Sequence, residues 1–407
     1  MSEKNKVDPK IAEIASNFKV SSLEEMNNIV NQLKKAFIEN ALNEEMTEHL
    51  GYEKWDQNSR TKSSNYRNGY SKKSVKTNNG LLELSIPRDE ESLFEPKIVK
   101  KYQNDISGFD EKIILMYAKG MSTRDINEYI YDIYGIEVSK DFISKVTDKI
   151  LPDIMAWQSR PLDKTYAVVF VDGIRFKVKE ENSFKEKSVY IVIGINLEGI
   201  KDVLGFWIAE SESAKQWMSV FNDLKSRGVQ DILITCSDNL KGISEAIHSI
   251  FPKTDIQKCI VHQIRNSMKF VRYDHLKEFT KDMKLIYGAP NIEVALSALD
   301  EFEKKWGNKY SYAIKSWRDN LDELTTFFKY PFELRKLIYT TNIIENLNRN
   351  IRKITKTKNN FTNVKSLEKL VYLAIQNQVS KWTTRVQNWG IIYQQIKIIF
   401  QEEFDLP

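Results

Sequence analysis

The pattern of apolar and polar positions changes several times along the N-terminal part of the chain. Residues 22–50 carry apolar side chains at helical spacing and predict a long amphipathic helix. Residues 55–80 show no sustained period and are rich in Asn, Ser, Lys and Gly, which predicts a loop or arm. The stretch GLLELSIPRD that follows predicts one short strand closed by Pro87.

Three helices separated by glycine-containing breaks are predicted over residues 110–149. The first ends at a turn centred on Gly120, and Ser122 precedes the second. A break at Gly135 leads to Ser139, which is expected to cap the third helix. This order is typical of a helix-turn-helix DNA-binding element, but a plain helical bundle gives the same pattern, so both interpretations stay open.

The middle of the chain alternates short apolar runs with polar breaks. Five of these runs have the length and composition of strands: YAVVFVDG (166–173), VYIVIGIN (189–196), DVLGFWIAES (202–211), DILITCSDN (231–239) and DIQKCIVH (255–262). Short gaps between the first three favour an antiparallel meander. Helices are predicted on either side of the fourth strand. The first strand is expected to end at Asp172 and the fourth at Asp238.

Beyond the fifth strand the apolar positions return to helical spacing. They predict an all-helical insertion over 263–338 and further helices over 342–404. The sequence therefore predicts an N-terminal helical segment with a basic arm, a helix-turn-helix-like domain, the first part of an α/β core, the insertion, and C-terminal core helices. In the same order these parts are residues 1–100, 101–160, 161–262, 263–338 and 339–407.

Composition limits the class of protein. With 407 residues, 41% hydrophobic and 29% charged, the chain is typical of a soluble globular protein of two or three domains. Two cysteines are too few for a disulfide framework and suit a reducing compartment. We find no apolar run near the ~20 residues of a membrane span and no secretory signal, so we expect a cytoplasmic protein without membrane contact.

The distribution of charge says more than the net charge of +5. Residues 54–76 hold seven basic and one acidic residue, and residues 340–360 hold five basic and one acidic. Residues 1–53 have the opposite balance, six basic against ten acidic. Two basic islands far apart in sequence are what binding to a phosphate backbone requires, although chance clustering on a solvated surface gives any single island.

Two aspartates are expected at neighbouring strand ends. If the first and fourth strands are neighbours, Asp172 and Asp238 lie side by side at the edge of the sheet where ligands gather. Two close carboxylates repel each other unless a cation lies between them, and Mg²⁺ or Mn²⁺ prefers such oxygen ligands. Each Asp alone has a simpler explanation, as a turn or helix-capping residue.

A third carboxylate is expected on a helix over 343–356. Glu345 shares one helix face with Arg349, Arg352 and Lys356, while the isoleucines and Leu347 form an apolar stripe. An i,i+4 salt bridge from Glu345 to Arg349 is one interpretation. The other is a metal ligand at the head of a row of phosphate-binding cations. Two strand-end aspartates and a helical glutamate would then form a two-metal phosphoryl-transfer site.

Other residues have both a functional and a structural interpretation. Cys259 and His262 have the spacing of half a zinc site but show no second pair of ligands, so polar packing beside the active site or a DNA contact is favoured. Trp317 is either a platform for an unstacked base or a core residue of the insertion. Lys241 and Arg265 are either phosphate contacts or solvated charges.

Four motifs carry a resemblance to a known family. The chain resembles the mutator-type transposases of bacterial insertion sequences from about residue 30 to residue 390. The matching segments are VFVDGIRFKV around Asp172, ITCSDNLKGI around Asp238, QKCIVHQIRN with Cys259 and His262, and IYTTNIIENLNRNIRK around Glu345. The Cys-x-x-His pair and the TTNxxExxN context of the glutamate are specific in combination.

The resemblance implies a fold, an activity and partners. It implies an RNase H-like α/β core, with a mixed five-stranded sheet interrupted by an all-α insertion. It also implies that a mainly helical N-terminal DNA-binding region precedes this core in the sequence. It implies a catalytic Asp172, Asp238 and Glu345 triad with two Mg²⁺ or Mn²⁺ ions. The expected partners are double-stranded DNA, as terminal inverted repeats and as target, and a second copy of the chain in a homodimer on DNA.

Two rival functions remain at this point. A helix-turn-helix regulator would bind DNA without catalysis, and its acidic residues would be structural. An RNase H-like nuclease would hydrolyse DNA without joining strands. We find no P-loop and no G-x-S-x-G motif, which argues against ATP-dependent and serine-nucleophile chemistry.

Overall fold

A computed structural model of the chain divides into two compact units. It describes residues 18, 21–55, 64–77, 80–101, 109–134, 138–181, 183–210, 213–339, 341–356, 360–404 and 406. One unit comprises 1–117 and 123–147, and the other comprises 118–122 and 148–407. The predicted division into five parts stays a prediction.

The first unit contains a long helix, a β-hairpin and three short helices. Helix α1 spans Leu23–Leu50, where Ser22 accepts a hydrogen bond from Glu25 N and Gly51 ends the helix in the left-handed region. The remaining elements are strands β1 (Arg67–Thr77) and β2 (Gly80–Asp89) and helices α2 (Phe109–Ala118), α3 (Thr123–Tyr134) and α4 (Lys140–Asp148).

These elements correct two predictions in the N-terminal region. Much of the predicted arm is strand β1, and the predicted short strand is the ten-residue β2, which continues past Pro87. The alternation of apolar and polar positions was hidden because only Val75 and Thr77 of β1 are buried. Pro87 is tolerated because both strands are edges. The predicted helices are confirmed, and the Ser139 hydroxyl accepts from Phe142 N at 3.1 Å. The predicted break at Gly135 and the basic residues Arg60, Lys62 and Lys358 lie outside the described residues.

The second unit is built on a mixed five-stranded sheet. After helix α5 (Leu151–Gln158) come strands β3 (Thr165–Glu180), β4 (Ser183–Asn196) and β5 (Lys201–Ala209), then helix α6 (Ala214–Ser226), strand β6 (Asp231–Ser237), helix α7 (Ile243–Ile250) and strand β7 (Asp255–Lys258). The order across the sheet is β5-β4-β3-β6-β7. The first three strands are antiparallel, and β6 and β7 run parallel to β3, so the predicted meander and the pairing of the first and fourth strands are confirmed.

Two strand boundaries differ from the predicted ones. Strand β3 does not end at Asp172 but continues to Glu180, because the sequence after Asp172 pairs with β4 along the whole hairpin. Strand β6 pairs with β3 only as far as Val171 opposite Ser237, so Asp172 marks the end of that pairing instead. Strand β7 ends at Lys258, and the residues that follow form a helix because their apolar positions fall at helical spacing.

Helices fill the rest of the second unit, as predicted for 263–338 and 342–404. They are α8 (Ile260–Met268), α9 (Tyr273–Tyr287), α10 (Ile292–Trp306), α11 (Ser311–Asp319), α12 (Leu321–Thr325), a 3-10 turn (Thr326–Lys329), α13 (Phe332–Ile338), α14 (Asn342–Thr355), α15 (Val364–Val379) and α16 (Trp389–Phe400). None of the helices in the described ranges has the length and apolarity needed to cross a membrane.

The sheet is covered on both faces, which places the functional side chains. Val169 and Val171 of β3 are fully buried in a cluster that includes Trp217 and Phe221 of α6. Side chains alternate along a strand, so Asp172 points to the opposite face. Helix α14 packs on that face, and its Asn348 contacts Asp172.

Candidate active site

Three acidic side chains from distant parts of the sequence line one cavity. Asp172 on β3, Asp238 directly after β6 and Glu345 in the first turn of α14 all border a cavity of about 610 Å³. The other residues that line it are Gly173, His262, Arg265, Asn342, Asn346, Asn348, Arg349 and Arg352. The predicted convergence of the three carboxylates on one site is therefore present in the fold.

The sheet register brings the two aspartates together. Asp172 and Asp238 each follow one member of the paired residues Val171 and Ser237 on neighbouring parallel strands. Neighbouring strands lie about 4.8 Å apart, so the two aspartates lie side by side where the pairing of β3 with β6 ends. Asp172 Oδ1 accepts from the Gly173 backbone N–H at 2.7 Å, and its Oδ2 accepts from Asn348 Nδ2.

Helix α8 supplies two cationic side chains that face the acidic ones. His262 Nδ1 lies 2.6 Å from Asp238 Oδ1, and His262 Nε2 lies 3.7 Å from Glu345 Oε1. Arg265 Nη1 lies 3.2 Å from the same Glu345 oxygen. The spacing of three residues puts both cations on one face of α8, and this face is turned toward the head of α14.

Helix α14 presents Glu345 as its amphipathic pattern predicts. Ile344, Leu347 and Ile351 are fully buried, and Glu345 keeps 28% of its side chain exposed. Arg349 and Arg352 extend from the same helix into the cavity. The alternative interpretation, a salt bridge from Glu345 to Arg349, is not observed: Glu345 contacts Arg265, and Arg349 donates to Asn346 Oδ1 at 3.1 Å.

Burial and close charges shift the pKa values of the site. Burial, together with the carboxylate of Asp238, raises the pKa of Asp172 above its ordinary value. Contacts with Asp238 and Cys259 raise the pKa of His262. Burial acts to raise the pKa of the Cys259 thiol, but hydrogen bonds with His262 and Thr341 outweigh it and lower the pKa. A half-buried carboxylate with a raised pKa beside a second carboxylate is a position at which a cation is favourable.

The oxygen atoms of the site suit a hard divalent cation. Asp172, Asp238 and Glu345 provide carboxylate oxygens, and the buried Asn348 Oδ1 has no hydrogen-bond partner within the described part of the chain. Such oxygen donors are the preferred ligands of Mg²⁺ and Mn²⁺. The residues present therefore fit the ions that the sequence implied.

A second donor set overlaps the first. Asp238, Cys259 and His262 each place one ligand atom within 4.8 Å of the others. Over the described residues this cluster holds three ligand atoms, one fewer than a closed structural zinc site requires. Cys259 is buried, where its thiol contacts Thr341 Oγ1 at 3.2 Å and His262 Nδ1 at 3.3 Å. The predicted DNA contact of Cys259 is thus wrong, and polar packing beside the site is its role.

The remaining cations are placed differently from one another. Arg265, Arg349 and Arg352 line the cavity. Lys241 and Lys356 are exposed but lie outside the set of residues that lines it. The cationic stripe predicted on α14 is therefore divided: Arg349 and Arg352 line the cavity, and Lys356 directly follows the end of the helix.

Trp317 does not have the exposure that a base platform needs. Its side chain is fully buried in the helical insertion, and its Nε1 donates to Ser267 Oγ at 3.0 Å. The predicted DNA contact of Trp317 is wrong, because Ala313, Ile314 and Trp317 of α11 form one apolar face that packs inward. The core interpretation of this residue is correct.

The contact of Asn348 with Asp172 was not predicted from the sequence. Asn348 is 2% exposed and lies four residues after Ile344, on the apolar stripe of α14. A polar side chain at a buried helical position needs a partner, and this mismatch was the available signal. Its partner, Asp172, is far away in sequence and only the fold identifies it.

Comparison of the sequence with known proteins identifies the family of the chain. Residues 7–385 match the family described as Transposase, Mutator family. A probable transposase for an ISRM3-like insertion sequence element of Sinorhizobium fredii (strain NBRC 101917 / NGR234) is 43% identical over 377 residues, covering 92% of this chain and 93% of the relative. The transposase for ISRM3 of Rhizobium meliloti (strain 1021) is 41% identical, with the same coverage of both chains.

A more distant relative matches over a shorter range. The transposase for IS256 in transposon Tn4001 of Staphylococcus aureus is 32% identical over 321 residues, which cover 78% of this chain and 82% of the relative. The family match covers nearly the whole chain, and the carboxylates described above lie within it. The chain belongs to the Mutator family of insertion-sequence transposases.

Proposed function

We propose that this transposase binds the terminal inverted repeats of its insertion sequence, cleaves DNA there and joins the ends to target DNA, using an RNase H-like core. The observation that carries the proposal is the common cavity of Asp172, Asp238 and Glu345. The strand order, with three antiparallel strands followed by two parallel ones, supports the RNase H-like assignment.

The three carboxylates are the proposed ligands of two Mg²⁺ or Mn²⁺ ions. When bound, such ions activate the attacking oxygen and stabilise the leaving oxygen of a phosphodiester. Water is the nucleophile for cleavage and a DNA 3′-hydroxyl is the nucleophile for joining. Gly173 N–H and Asn348 hold Asp172, and His262 and Arg265 hold Asp238 and Glu345, so the protein fixes the carboxylates in advance.

The cations have the proposed role of holding the DNA strand. Arg265, Arg349 and Arg352 border the carboxylates and would contact the phosphates nearest the cleaved bond. Lys356 and Lys241, being exposed and outside the cavity lining, would contact neighbouring phosphates. The helices over 109–148 and the basic segment 54–76 would bind the terminal repeats, with two copies of the chain handling the two ends.

The experiment uses end-labelled DNA from the ends of the insertion sequence, with Mg²⁺, and follows both cleaved and joined products. We expect cleavage and joining by the natural protein and loss of both in Asp238→Asn. Asp231→Asn is the matched control, because Asp231 begins the same strand at the opposite edge of the sheet and is expected to keep activity.

Two results would replace the proposal. DNA binding without cleavage by any form would favour a helix-turn-helix regulator. Cleavage without joined products, under conditions in which target DNA is present, would favour a nuclease.

A further inference from the structure

Two aromatic side chains stand exposed beyond the end of α8 that is remote from the carboxylates. Phe270 is 66% exposed and Tyr312, on α11, is 64% exposed. Their ring centroids are 5.7 Å apart and the ring planes meet at 88°. Single exposed apolar side chains are common, but Phe270 and Tyr312 are two large rings at right angles. They form an open corner, and each ring has a face on which a planar group can stack.

The corner is fixed relative to the candidate active site. Helices α8 and α11 are joined by two hydrogen bonds, from Gln263 Nε2 to Ser316 Oγ at 2.9 Å and from Trp317 Nε1 to Ser267 Oγ at 3.0 Å. Trp317 is fully buried at this junction. The exposed rings therefore keep a constant position with respect to the α8 residues that contact the carboxylates.

A row of cations leads from the cavity to the corner. His262 and Arg265 of α8 and Lys269, the C-cap residue of this helix, are spaced by three and four residues and so share one helix face. Lys269 Nζ lies 5.8 Å from the ring centroid of Phe270. Phe270 follows His262 by eight residues, which corresponds to about 12 Å along the helix axis. Lys315, one turn after Tyr312, is also exposed.

We propose that Phe270 and Tyr312 bind an unpaired nucleobase of a DNA strand whose phosphates lie along the α8 cations. Bases stack on aromatic side chains with little dependence on sequence, and nearby cations bind the backbone. Stacked nucleotides of one strand are spaced by about 3.4 Å, so the corner is about three to four nucleotides from His262, which contacts Asp238. This inference rests on the proposed function, since it takes the cleaved strand to lie in the cavity.

The test measures affinity for an unpaired end in the absence of chemistry. The full chain is titrated in EDTA against a fluorescein-labelled duplex from the insertion-sequence end, either blunt or carrying a four-nucleotide overhang on the 3′ or the 5′ strand. The variants are Phe270→Ala, Tyr312→Ala and Phe270→Leu, which keeps an apolar side chain without a ring. Phe332→Ala is the matched control, because Phe332 is 72% exposed on α13 and does not line the cavity.

The natural protein is expected to bind one of the overhang duplexes roughly 10-fold more tightly than the blunt duplex. Phe270→Ala and Phe270→Leu should both lose this preference, while affinity for the blunt duplex stays unchanged. A 2-aminopurine base in the overhang should lose fluorescence on binding to the natural protein and to Phe332→Ala, but not to Phe270→Ala. An undiminished overhang preference in Phe270→Ala, or an equal loss in Phe332→Ala, would overturn the inference.

A second copy of the chain is the competing occupant of the corner, and the same variants decide between it and DNA. If Phe270→Ala changes the oligomeric state in sedimentation without changing the overhang preference, the corner is an interface between copies and the inference is wrong. Because binding is measured in EDTA, the inference stands or fails separately from catalysis. Ring-dependent overhang binding by a protein that does not cut would reject the proposed function alone.

Discussion

Asn348 donates a hydrogen bond to Asp172, a residue 176 positions earlier in the sequence. The contact joins helix α14 to strand β3 at the point where β6 stops pairing with β3. It also ties the helix that carries Glu345 to the strand that carries Asp172. One buried amide therefore links the elements that carry two of the three carboxylates.

Replacing this amide tests its positioning role. We expect Asn348→Ala to lower the rate of DNA cleavage by about 10- to 100-fold, the usual cost of losing a group that orients a metal ligand. Affinity for DNA should stay within twofold, because only 2% of Asn348 is exposed. Rates are measured with saturating DNA, and Asn350→Ala, on the same helix and outside the cavity lining, is the control.

Glu345→Gln separates binding from chemistry. We expect no detectable cleavage, since a neutral amide binds a divalent cation far more weakly than a carboxylate does. DNA binding should be unchanged or slightly tighter, because negative charge is removed beside phosphate and Arg265 is released from its 3.2 Å contact. Electrophoretic mobility shift and cleavage assays measure the two effects. Glu301→Gln, with 70% of its side chain exposed, is the control, and cleavage by Glu345→Gln at the natural rate would contradict a ligand role.

Salt dependence tests the cations of the site. Each phosphate contact adds about 0.9 to the slope of log affinity against log salt concentration. We expect Arg349→Ala and Arg352→Ala each to weaken DNA binding and to reduce that slope by about one. Fluorescence anisotropy from low to physiological salt gives the slope. Lys304→Ala is the control, because Lys304 is paired with Glu301 at 2.5 Å on α10. Unchanged slopes in both arginine variants would remove them from the DNA path.

Trp317 is expected to affect stability rather than DNA contact. Trp317→Ala should destabilise the second unit by about 3–5 kcal/mol, because it removes a fully buried ring and leaves a cavity. Trp317→Phe should cost less, with the Ser267 hydroxyl losing its Nε1 donor. Urea denaturation followed by circular dichroism measures both. Trp55→Ala, in which the lost side chain is 85% exposed, should have little effect. Loss of DNA binding by a Trp317→Phe protein of natural stability would contradict this placement.

Acid is expected to weaken the first unit through Asp89. Burial acts to raise the pKa of this carboxyl, but hydrogen bonds from Asn65 and from the N–H groups of Phe94 and Leu93 outweigh it and lower the pKa to about 2 from 3.8. A lowered folded-state pKa gives stability that is complete above pH 3.8 and is lost as the pH falls toward 2.

The size of this effect is about 2 kcal/mol, from 1.36 kcal/mol for each pKa unit. Asp89→Asn should therefore lower the stability of the first unit at pH 6 and flatten its pH dependence between pH 4 and 2. Hydrogen exchange of β1 and β2 amides measures the unit by itself. A natural pH dependence in Asp89→Asn would assign the acid sensitivity to another group. Asp110→Asn, in the first turn of α2, is the control.

The sequence by itself determined most of the elements and the identity of the acidic residues. Apolar periodicity gave α1, the helices of the insertion and α14, because packing against a core imposes the same period on any helix. It also predicted the meander β3–β5, because short gaps allow few connections, whereas the pairing of β3 with β6 was only a condition that the fold fulfils. Motif resemblance identified Asp172, Asp238 and Glu345.

Only the tertiary structure decided where these side chains lie and what holds them. Periodicity describes which face of an element is buried, but not which element covers it. The roles of Trp317 and Cys259 therefore stayed undecided, and the contact of Asn348 was not predicted. Strand β3 continues past Asp172 because it forms hydrogen bonds with β4. Local composition, from which the strand boundary was predicted, does not show this pairing. The contacts of Asp172, Asp238 and Glu345 with Asn348, His262 and Arg265 join segments far apart in sequence, and such contacts exist only when the whole core has packed.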